Sequence, residues 1–252
     1  MRILIVGATG NSGLALTRMA LARGLRVTAY VRSAEKLQAL LGEQGNHPAL
    51  TISTGTLANE ATLARAMAGQ DAVINAAGNA TVDPDFVALV QSVIATAEKA
   101  LGNGGRLWLF GGAAALDVPG HPIRAADLPI LPKVYKQHIH NLARVEATGL
   151  DWSMLCPGPM VSSISGQPSE GLRVSVDRWP VEGPADGGLF RTLRILKAFK
   201  QRMGEMTVTY EDAAKVILDN LQIAGPFARR RVGLALPAGQ TGSKPLVVRV
   251  KY

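Results

Sequence analysis

The hydrophobic and polar positions in the first part of the chain follow two alternating periods. Short apolar runs that end at glycine predict strands buried on both faces, because such strands lack polar alternation. Apolar residues three or four positions apart predict amphipathic helices between these runs. Six strands are predicted, at 2–7, 26–32, 49–55, 71–78, 106–112 and 151–158. The intervening helices are predicted at 12–24, 33–42, 59–69, 84–101 and 136–149.

This succession of strand and helix predicts an α/β fold with a doubly wound parallel sheet. Parallel strands need a crossover connection, and a crossover helix packs back onto the sheet. The regularity weakens after Gly158. Residues 159–190, rich in Gly and Pro, predict loops with a short hairpin. The elements predicted beyond them are helices at 189–204 and 209–222 and strands at 229–237 and 245–252.

No composition break marks a linker, so one domain is predicted over residues 1–252, with a core at 1–158 and a small C-terminal lobe at 159–252. Hydrophobic residues make up 47% of the chain and charged residues 18%, as in a globule with a substantial core. A membrane span needs about 20 apolar residues in a row. The chain has no such run, so no membrane span is predicted. The single cysteine, Cys156, excludes an internal disulfide and predicts a core thiol in a cytoplasmic protein.

The net charge of +8, from 27 basic and 19 acidic residues, raises the question of an anionic partner. The basic residues are scattered except at 191–202 and 229–231. Zinc-finger spacing is missing and only 5% of residues are aromatic, so the sequence disfavours nucleic-acid binding. We expect a solvated basic surface with some charge used for a phosphorylated cofactor. No metal site is predicted, and the sequence leaves a homo-oligomer open.

Three glycines, Gly7, Gly10 and Gly13, lie between the first predicted strand and the first predicted helix. In that context Gly7 allows a tight turn, Gly10 lets the backbone approach a pyrophosphate, and Gly13 allows close helix–strand packing. The helix N-terminus offers free N–H groups and a partial positive charge to phosphates. Further donors come from the neighbouring residues Thr9, Asn11 and Ser12.

The G-x-x-G-x-x-G spacing resembles that of the short-chain dehydrogenase/reductase superfamily, in its extended and atypical branches. The resemblance covers residues 1–158 and reaches the segment TVTYEDAAKVILDNL at 207–221. It implies a Rossmann-type doubly wound sheet in which residues 1–158 bind NAD(P) and residues 159–252 form the substrate side.

The end of the second predicted strand bears on the choice of cofactor. NAD-selective sites commonly hold the ribose hydroxyls with an acidic residue at this position. Here the strand ends at Arg32, with Lys36 one turn further on. A guanidinium can pair with the 2′-phosphate of NADP through its planar fork. The sequence therefore favours NADP(H) over NAD(H).

Small residues follow three further predicted strands, where ligands of this fold bind outside the carboxyl ends of the strands. They occur in the segments NAAGN (75–79), FGGAAA (110–115) and CPGPM (156–160). The predicted cofactor-lining residues from these segments are Ala77, Gly78, Gly111, Gly112 and Pro157.

Many short-chain dehydrogenases carry a Tyr-x-x-x-Lys pair for proton transfer. Four residues after Tyr135 the chain has Ile139, so this pair is missing, and Gly111-Gly112-Ala113 stands where a serine is common. The chain resembles the atypical NAD(P)H-binding branch, which includes NmrA-like proteins, flavin reductases and biliverdin-IXβ reductase. The matching segments are VGATGNSG, VRSAEKL, FGGAAALDVPG, ATGLDWSMLCPGPM and VTYEDAAKVILDNL.

That branch implies hydride transfer from NADPH to a planar acceptor such as a flavin or quinone, which requires positioning more than acid catalysis. Met160 is either an apolar contact for a flat ring or simple packing. Two alternatives stay open: an NADP(H)-binding redox sensor without catalysis, and an epimerase- or dehydratase-like enzyme. An NADPH oxidation assay with flavins and quinones separates the reductase from the sensor.

The segment KVYKQHIH (133–140) holds the candidate catalytic side chains. On a helix, Tyr135 and His138 share the face of Leu142 and Val145, whereas Lys136 and His140 fall on another face. If any part of this stretch faces the cofactor, we expect it to be Tyr135 and His138, at the border of the nicotinamide pocket. His138 is a candidate hydrogen-bond donor or proton source there. A structural or solvent-exposed histidine is the alternative.

Overall fold

The computed structural model describes residues 1–78, 80, 83–128, 133–184 and 191–242 of the chain. The strands are β1 (Arg2–Val6), β2 (Arg26–Val31), β3 (Leu50–Thr54), β4 (Ala72–Asn75), β5 (Arg106–Phe110), β6 (Asp151–Cys156), β7 (Met160–Val161), β8 (Arg173–Val176), β9 (Val208–Thr209) and β10 (Arg230–Ala235). The α-helices are α1 (Asn11–Ala22), α2 (Ala34–Leu41), α3 (Glu60–Met67), α4 (Phe86–Leu101), α5 (Gln137–Glu146), α6 (Arg191–Arg202) and α7 (Tyr210–Leu218).

Eight strands form the main sheet, in the order β3-β2-β1-β4-β5-β6-β10-β8. All neighbouring pairs are parallel except β10 and β8. The strand order reverses between β1 and β4, and such a reversal leaves a crevice at the carboxyl ends of the two strands. The predicted α/β fold and parallel sheet are therefore confirmed.

Two apolar layers cover the faces of the sheet, as a doubly wound fold requires. One layer contains buried residues of α3, α4 and α5, among them Leu63, Val90 and Leu142. The opposite layer contains buried residues of α1, α2 and α7, among them Leu16, Leu37 and Ile217. The helix starts at Ser33 and Thr209 predicted from sequence are confirmed, since each hydroxyl accepts a backbone N–H of the first turn.

The segment after Gly158 extends this sheet. β10 lies parallel to β6, and β8 pairs with β10 from the other side. The short strand β7 pairs with β9. Over residues 159–184, the part of that segment that the structure describes, the predicted hairpin is wrong, because β7 and β8 each pair with a later part of the chain. The predicted strand at 245–252 lies outside the described residues.

The amino end of β5 and β6 carries a buried ion pair. Arg106 Nη1 lies 3.1 Å from Asp151 Oδ1, and the Arg106 side chain is completely buried. Arg106 also donates to the carbonyl of Asn220, and its guanidinium lies 4.9 Å from the centre of the Trp108 ring. These contacts link β5, β6 and the residues after α7 at the amino ends of the strands, on the side of the sheet away from the crevice.

Cys156 is buried, as predicted, and burial raises the pKa of its thiol to about 12. In the ranges that the model describes, none of the helices is both long and apolar enough to cross a membrane.

Candidate functional site

A cavity of about 840 Å³ lies at the carboxyl ends of β1 to β5. Ligand pockets in proteins are typically some 300–1,000 Å³. The lining residues come from these strands and the loops after them, from the first turns of α1 and α2, from α4, α5 and α7, and from β7. The cavity therefore occupies the crevice that the strand order creates.

The glycine loop forms one wall and is built for close approach. Gly7 has φ +82°, and a Cβ there would lie 2.7 Å from Ala77 Cα. A Cβ at Gly13 would lie 2.3 Å from the Gly7 carbonyl oxygen, so neither position accepts a side chain. A Cβ at Gly10 would meet nothing closer than 3.5 Å, and Gly10 lines the cavity. The space above Gly10 is thus left for a ligand.

The first turn of α1 presents its N–H groups beside this loop. Gly10 is the N-cap, and the first turn contains no acidic residue. Helix N-termini of this kind bind phosphate groups. Thr9, Asn11 and Ser12 line the cavity as predicted. This wall fits the pyrophosphate of a dinucleotide.

Tyr210, at the start of α7, is a site residue that the sequence did not reveal. Its hydroxyl accepts a hydrogen bond of 3.1 Å from Asn11 Nδ2, and the tyrosine lines the cavity. The other lining residues absent from the sequence prediction include Tyr30, Asp83, Phe86, Leu89 and Val90. No motif spacing marks them, because they belong to a buried strand and to distant helices.

Two cations lie at the other side of the glycine loop. Arg32 and Lys36 both line the cavity and are exposed. Among the described residues, neither side chain has a hydrogen-bonding or ion-pair partner, so both are available to an anion. Thr56 and Leu57 complete this end of the cavity.

The opposite end is formed by Phe110, Gly111, His138 and Met160, with Ala77 and Gly78 along the floor. A Cβ at Gly111 would lie 2.8 Å from Cys156 Sγ and from Met154 Sδ, so only glycine fits there. The predicted placement of Ala77, Gly78, Gly111 and Met160 at the cavity agrees with this geometry.

His138 is the one candidate catalytic residue that the structure places at the cavity. Its ring packs edge-on against Phe86, with ring centres 5.2 Å apart, and a Cβ at Gly112 would lie 3.2 Å from its Cδ2. Burial lowers the pKa of His138 to about 4. The imidazole is therefore neutral near pH 7, which suits a hydrogen-bonding group and not a charged acid.

Tyr135 does not accompany His138. It is 38% exposed and is not among the cavity-lining residues. The shared-face prediction assumed one continuous helix, whereas residues Lys133–Lys136 form a 3₁₀ turn and α5 begins at Gln137. The two side chains thus belong to different elements: Tyr135 lies in the 3₁₀ turn and is exposed, whereas His138 lies in the first turn of α5 and lines the cavity.

Three predicted cofactor residues, Gly112, Gly13 and Pro157, lie just behind the cavity surface. Gly112 packs on the His138 ring, and the Pro157 carbonyl accepts the Ala113 N–H at 2.8 Å. These residues shape the walls of the site. Arg231 of β10 holds the same loop after β5, donating to the Ala115 carbonyl at 2.8 Å and to the Asp117 carboxylate at 2.9 Å.

Comparisons with known proteins agree with this geometry. A family model described as NAD(P)H-binding matches residues 7–182. No curated protein sequence matches the chain. Many solved structures do, at low identity, and three of them are of interest here.

A Streptococcus pneumoniae protein described as an NADH-flavin reductase has a TM-score of 0.67 at 22% identity, covering 94% of this chain and 99% of its own. A wide-type short-chain dehydrogenase/reductase from Veillonella parvula, solved with NADP, has a TM-score of 0.66 at 17% identity and covers 97% and 98%. ChuY, an anaerobilin reductase from Escherichia coli O157:H7, has a TM-score of 0.63 at 18% identity and covers 96% and 100%.

These structures share the Rossmann-type fold, and the family model spans most of the chain, including the glycine loop. The chain therefore belongs to the NAD(P)H-binding family of proteins.

Proposed function

We propose that the protein is an NADPH-dependent reductase that transfers hydride to a planar acceptor such as a flavin or quinone. The observation that carries this proposal is the single cavity that runs from Arg32 and Lys36, past the glycine loop, to the wall of His138 and Met160. The cations at one end suit the 2′-phosphate of NADPH, and the glycine loop in the middle suits its pyrophosphate. The other end, which contains Met160, suits the nicotinamide and a planar acceptor.

The described residues assign a part of the cofactor to each region. The N–H groups at the start of α1 would hold the pyrophosphate. Arg32 and Lys36 would pair with the 2′-phosphate, and neither has another partner among the described residues, which supports NADP(H) over NAD(H). Gly111, with its neighbours Ala77 and Gly78, would let the nicotinamide ring lie close to the backbone.

The bound nicotinamide supplies the hydride, so the protein has to orient the two rings and exclude water. Met160 and Phe86 provide apolar surface for a flat acceptor at this end. Neutral His138 would form a hydrogen bond to the acceptor, and solvent can protonate a reduced flavin or quinone. A Tyr-x-x-x-Lys proton relay is not required for this reaction.

Two similar structures support the acceptor class, since they are described as reductases of flavin and of anaerobilin. The epimerase alternative has less support because the Tyr-x-x-x-Lys pair is missing.

The direct test is NADPH and NADH oxidation with FMN, FAD and a soluble quinone as acceptors. We expect acceptor-dependent oxidation with tighter binding of NADPH than of NADH. A Lys200→Gln variant removes an exposed cation of α6 that lies outside the cavity. It should oxidise NADPH as the wild type does, which would show that net charge alone does not set the cofactor preference. Tight NADPH binding without oxidation by any acceptor would replace the reductase with the sensor alternative.

A further inference from the structure

A second cleft, of about 320 Å³, lies between the edge of the sheet and α3. It is lined by residues of β2, β3, α3 and the turn after α3: Thr28, Thr51, Ser53, Thr54, Thr62, Arg65, Ala66 and Gln70. It is too small for a dinucleotide, and its volume matches a compact ligand with a few waters. Nothing in the reductase chemistry proposed above uses this cleft.

Hydroxyl groups dominate the lining of the cleft. Thr28 pairs with Thr51, and Tyr30 with Ser53, on adjacent strands. β3 is the edge strand of the sheet, and its residues Thr51 and Thr54 are exposed. The cleft is therefore polar and open to solvent beside α3.

One cation and one unused acceptor complete the lining. Of the described residues at the cleft, Arg65 alone is charged, and it has no ion-pair partner among them. Gln70 Nε2 donates to Thr28 Oγ1 at 3.0 Å and to the Ala66 carbonyl at 3.1 Å. Gln70 Oε1 is buried without a partner. A buried acceptor of this kind costs free energy until a donor reaches it.

We propose that this cleft is a second ligand site that binds a phosphate-sized oxyanion. A guanidinium and several hydroxyl donors are the groups that recognise such an anion. Gln70 Oε1 itself is buried below the cleft surface, so the anion would be recognised by Arg65 and the hydroxyl groups. Hydrogenphosphate and sulfate should therefore both bind.

The cleft shares a wall with the end of the large cavity that contains Arg32 and Lys36. Thr62 Oγ1, in the cleft, hydrogen-bonds the Tyr30 hydroxyl at 2.8 Å, and that hydroxyl donates to the Thr56 carbonyl at 3.0 Å. Tyr30 and Thr56 both line the large cavity. An anion that moves Thr62 thus changes the wall that the cofactor contacts, and the resulting coupling is reciprocal. Only this coupling rests on the proposed function.

Binding is tested on the full chain without cofactor, by following backbone amide NMR signals during titration with inorganic phosphate at constant ionic strength. We expect shifts at Thr51, Ser53 and Arg65 with phosphate and with sulfate, and none of these shifts in a matched chloride titration. Arg65→Gln should weaken phosphate binding at these amides about tenfold, which corresponds to ~1.4 kcal/mol. Thr51→Val should weaken it less, and Lys200→Gln should leave it unchanged.

Three results would overturn the site: no shifts at these amides, shifts that Arg65→Gln leaves unchanged, or shifts confined to the glycine loop at Gly10 and Gly13. A change in oligomeric state on Arg65→Gln, without loss of phosphate shifts, would show that the cleft is instead a contact between copies.

The coupling is measured as the NADPH dissociation constant with and without phosphate. Direct competition at the cofactor site affects wild type and Arg65→Gln alike, whereas coupling through Thr62 and Tyr30 requires Arg65. The same phosphate dependence in both proteins would refute the coupling. If NADPH does not bind at all, the proposed function is wrong. The amide shifts would still test the anion site, because they are measured without cofactor.

Discussion

Asn11 and Tyr210, which are 199 residues apart in the sequence, are joined by a hydrogen bond of 3.1 Å at the glycine loop. The bond ties the first turn of α1 to the first residue of α7. It places the C-terminal part of the chain directly at the phosphate wall of the cavity, so α7 is part of the site as well as of the fold.

Removing this bond should loosen the loop and weaken cofactor binding. We expect Tyr210→Phe to raise the NADPH dissociation constant several-fold, since a neutral hydrogen bond contributes about 1 kcal/mol. Fluorescence titration measures the affinity, and thermal unfolding should show little change. Tyr135→Phe is the matched control, because Tyr135 is exposed outside the cavity. An equal loss in both variants would contradict the role given to Tyr210.

The choice between NADPH and NADH should depend on Arg32. We expect Arg32→Gln to weaken NADPH binding about tenfold to a hundredfold, the effect of losing a charge-assisted hydrogen bond. NADH binding should hardly change, because NADH lacks the 2′-phosphate. Isothermal titration with both cofactors tests this difference. If affinity for the two cofactors fell equally, Arg32 would not read the phosphate.

The buried imidazole of His138 should make stability depend on pH. Its pKa falls from 6.5 in the unfolded chain to about 4 in the folded protein. Between these values the unfolded state binds a proton that the folded state does not, so stability falls as the pH is lowered from 6.5 towards 4. Below pH 4 both states are protonated and this contribution is constant. The loss amounts to about 3 kcal/mol.

This dependence can be separated from that of other groups by comparing wild type with His138→Gln in urea unfolding at several pH values. The variant should show a shallower decline between pH 6.5 and 4. A matched His140→Gln variant, which removes an exposed histidine of the same helix, should behave like wild type. Parallel curves for His138→Gln and wild type would show that His138 titrates normally.

The buried pair of Arg106 and Asp151 should stabilise the fold without affecting the site. Asp151→Asn would leave a buried guanidinium without its carboxylate, which we expect to cost about 3–5 kcal/mol. The double change Arg106→Met with Asp151→Leu should cost less, because no charge stays buried. Urea unfolding measures both. NADPH affinity in the folded variants should match wild type, since the pair lies at the amino ends of β5 and β6. A loss of affinity without a loss of stability would contradict this separation.

The strands and α-helices of residues 1–158, and the glycine turn between β1 and α1, could be predicted from local patterns of the sequence. Strand and helix periods depend on neighbouring residues, and the spacing of Gly7, Gly10 and Gly13 determines the conformation of a single turn. The position of Arg32 at the cavity could be predicted for the same reason, because Arg32 directly follows the end of β2.

Other features became visible only in the folded protein. They are the place of β10 between β6 and β8, the contact of Tyr210 with Asn11, and the polar cleft beside Arg65. The sequence also did not show that α5 begins at Gln137, with Tyr135 exposed in the turn before it. Packing between segments that are distant in sequence sets these relationships, and local periodicity does not encode such packing.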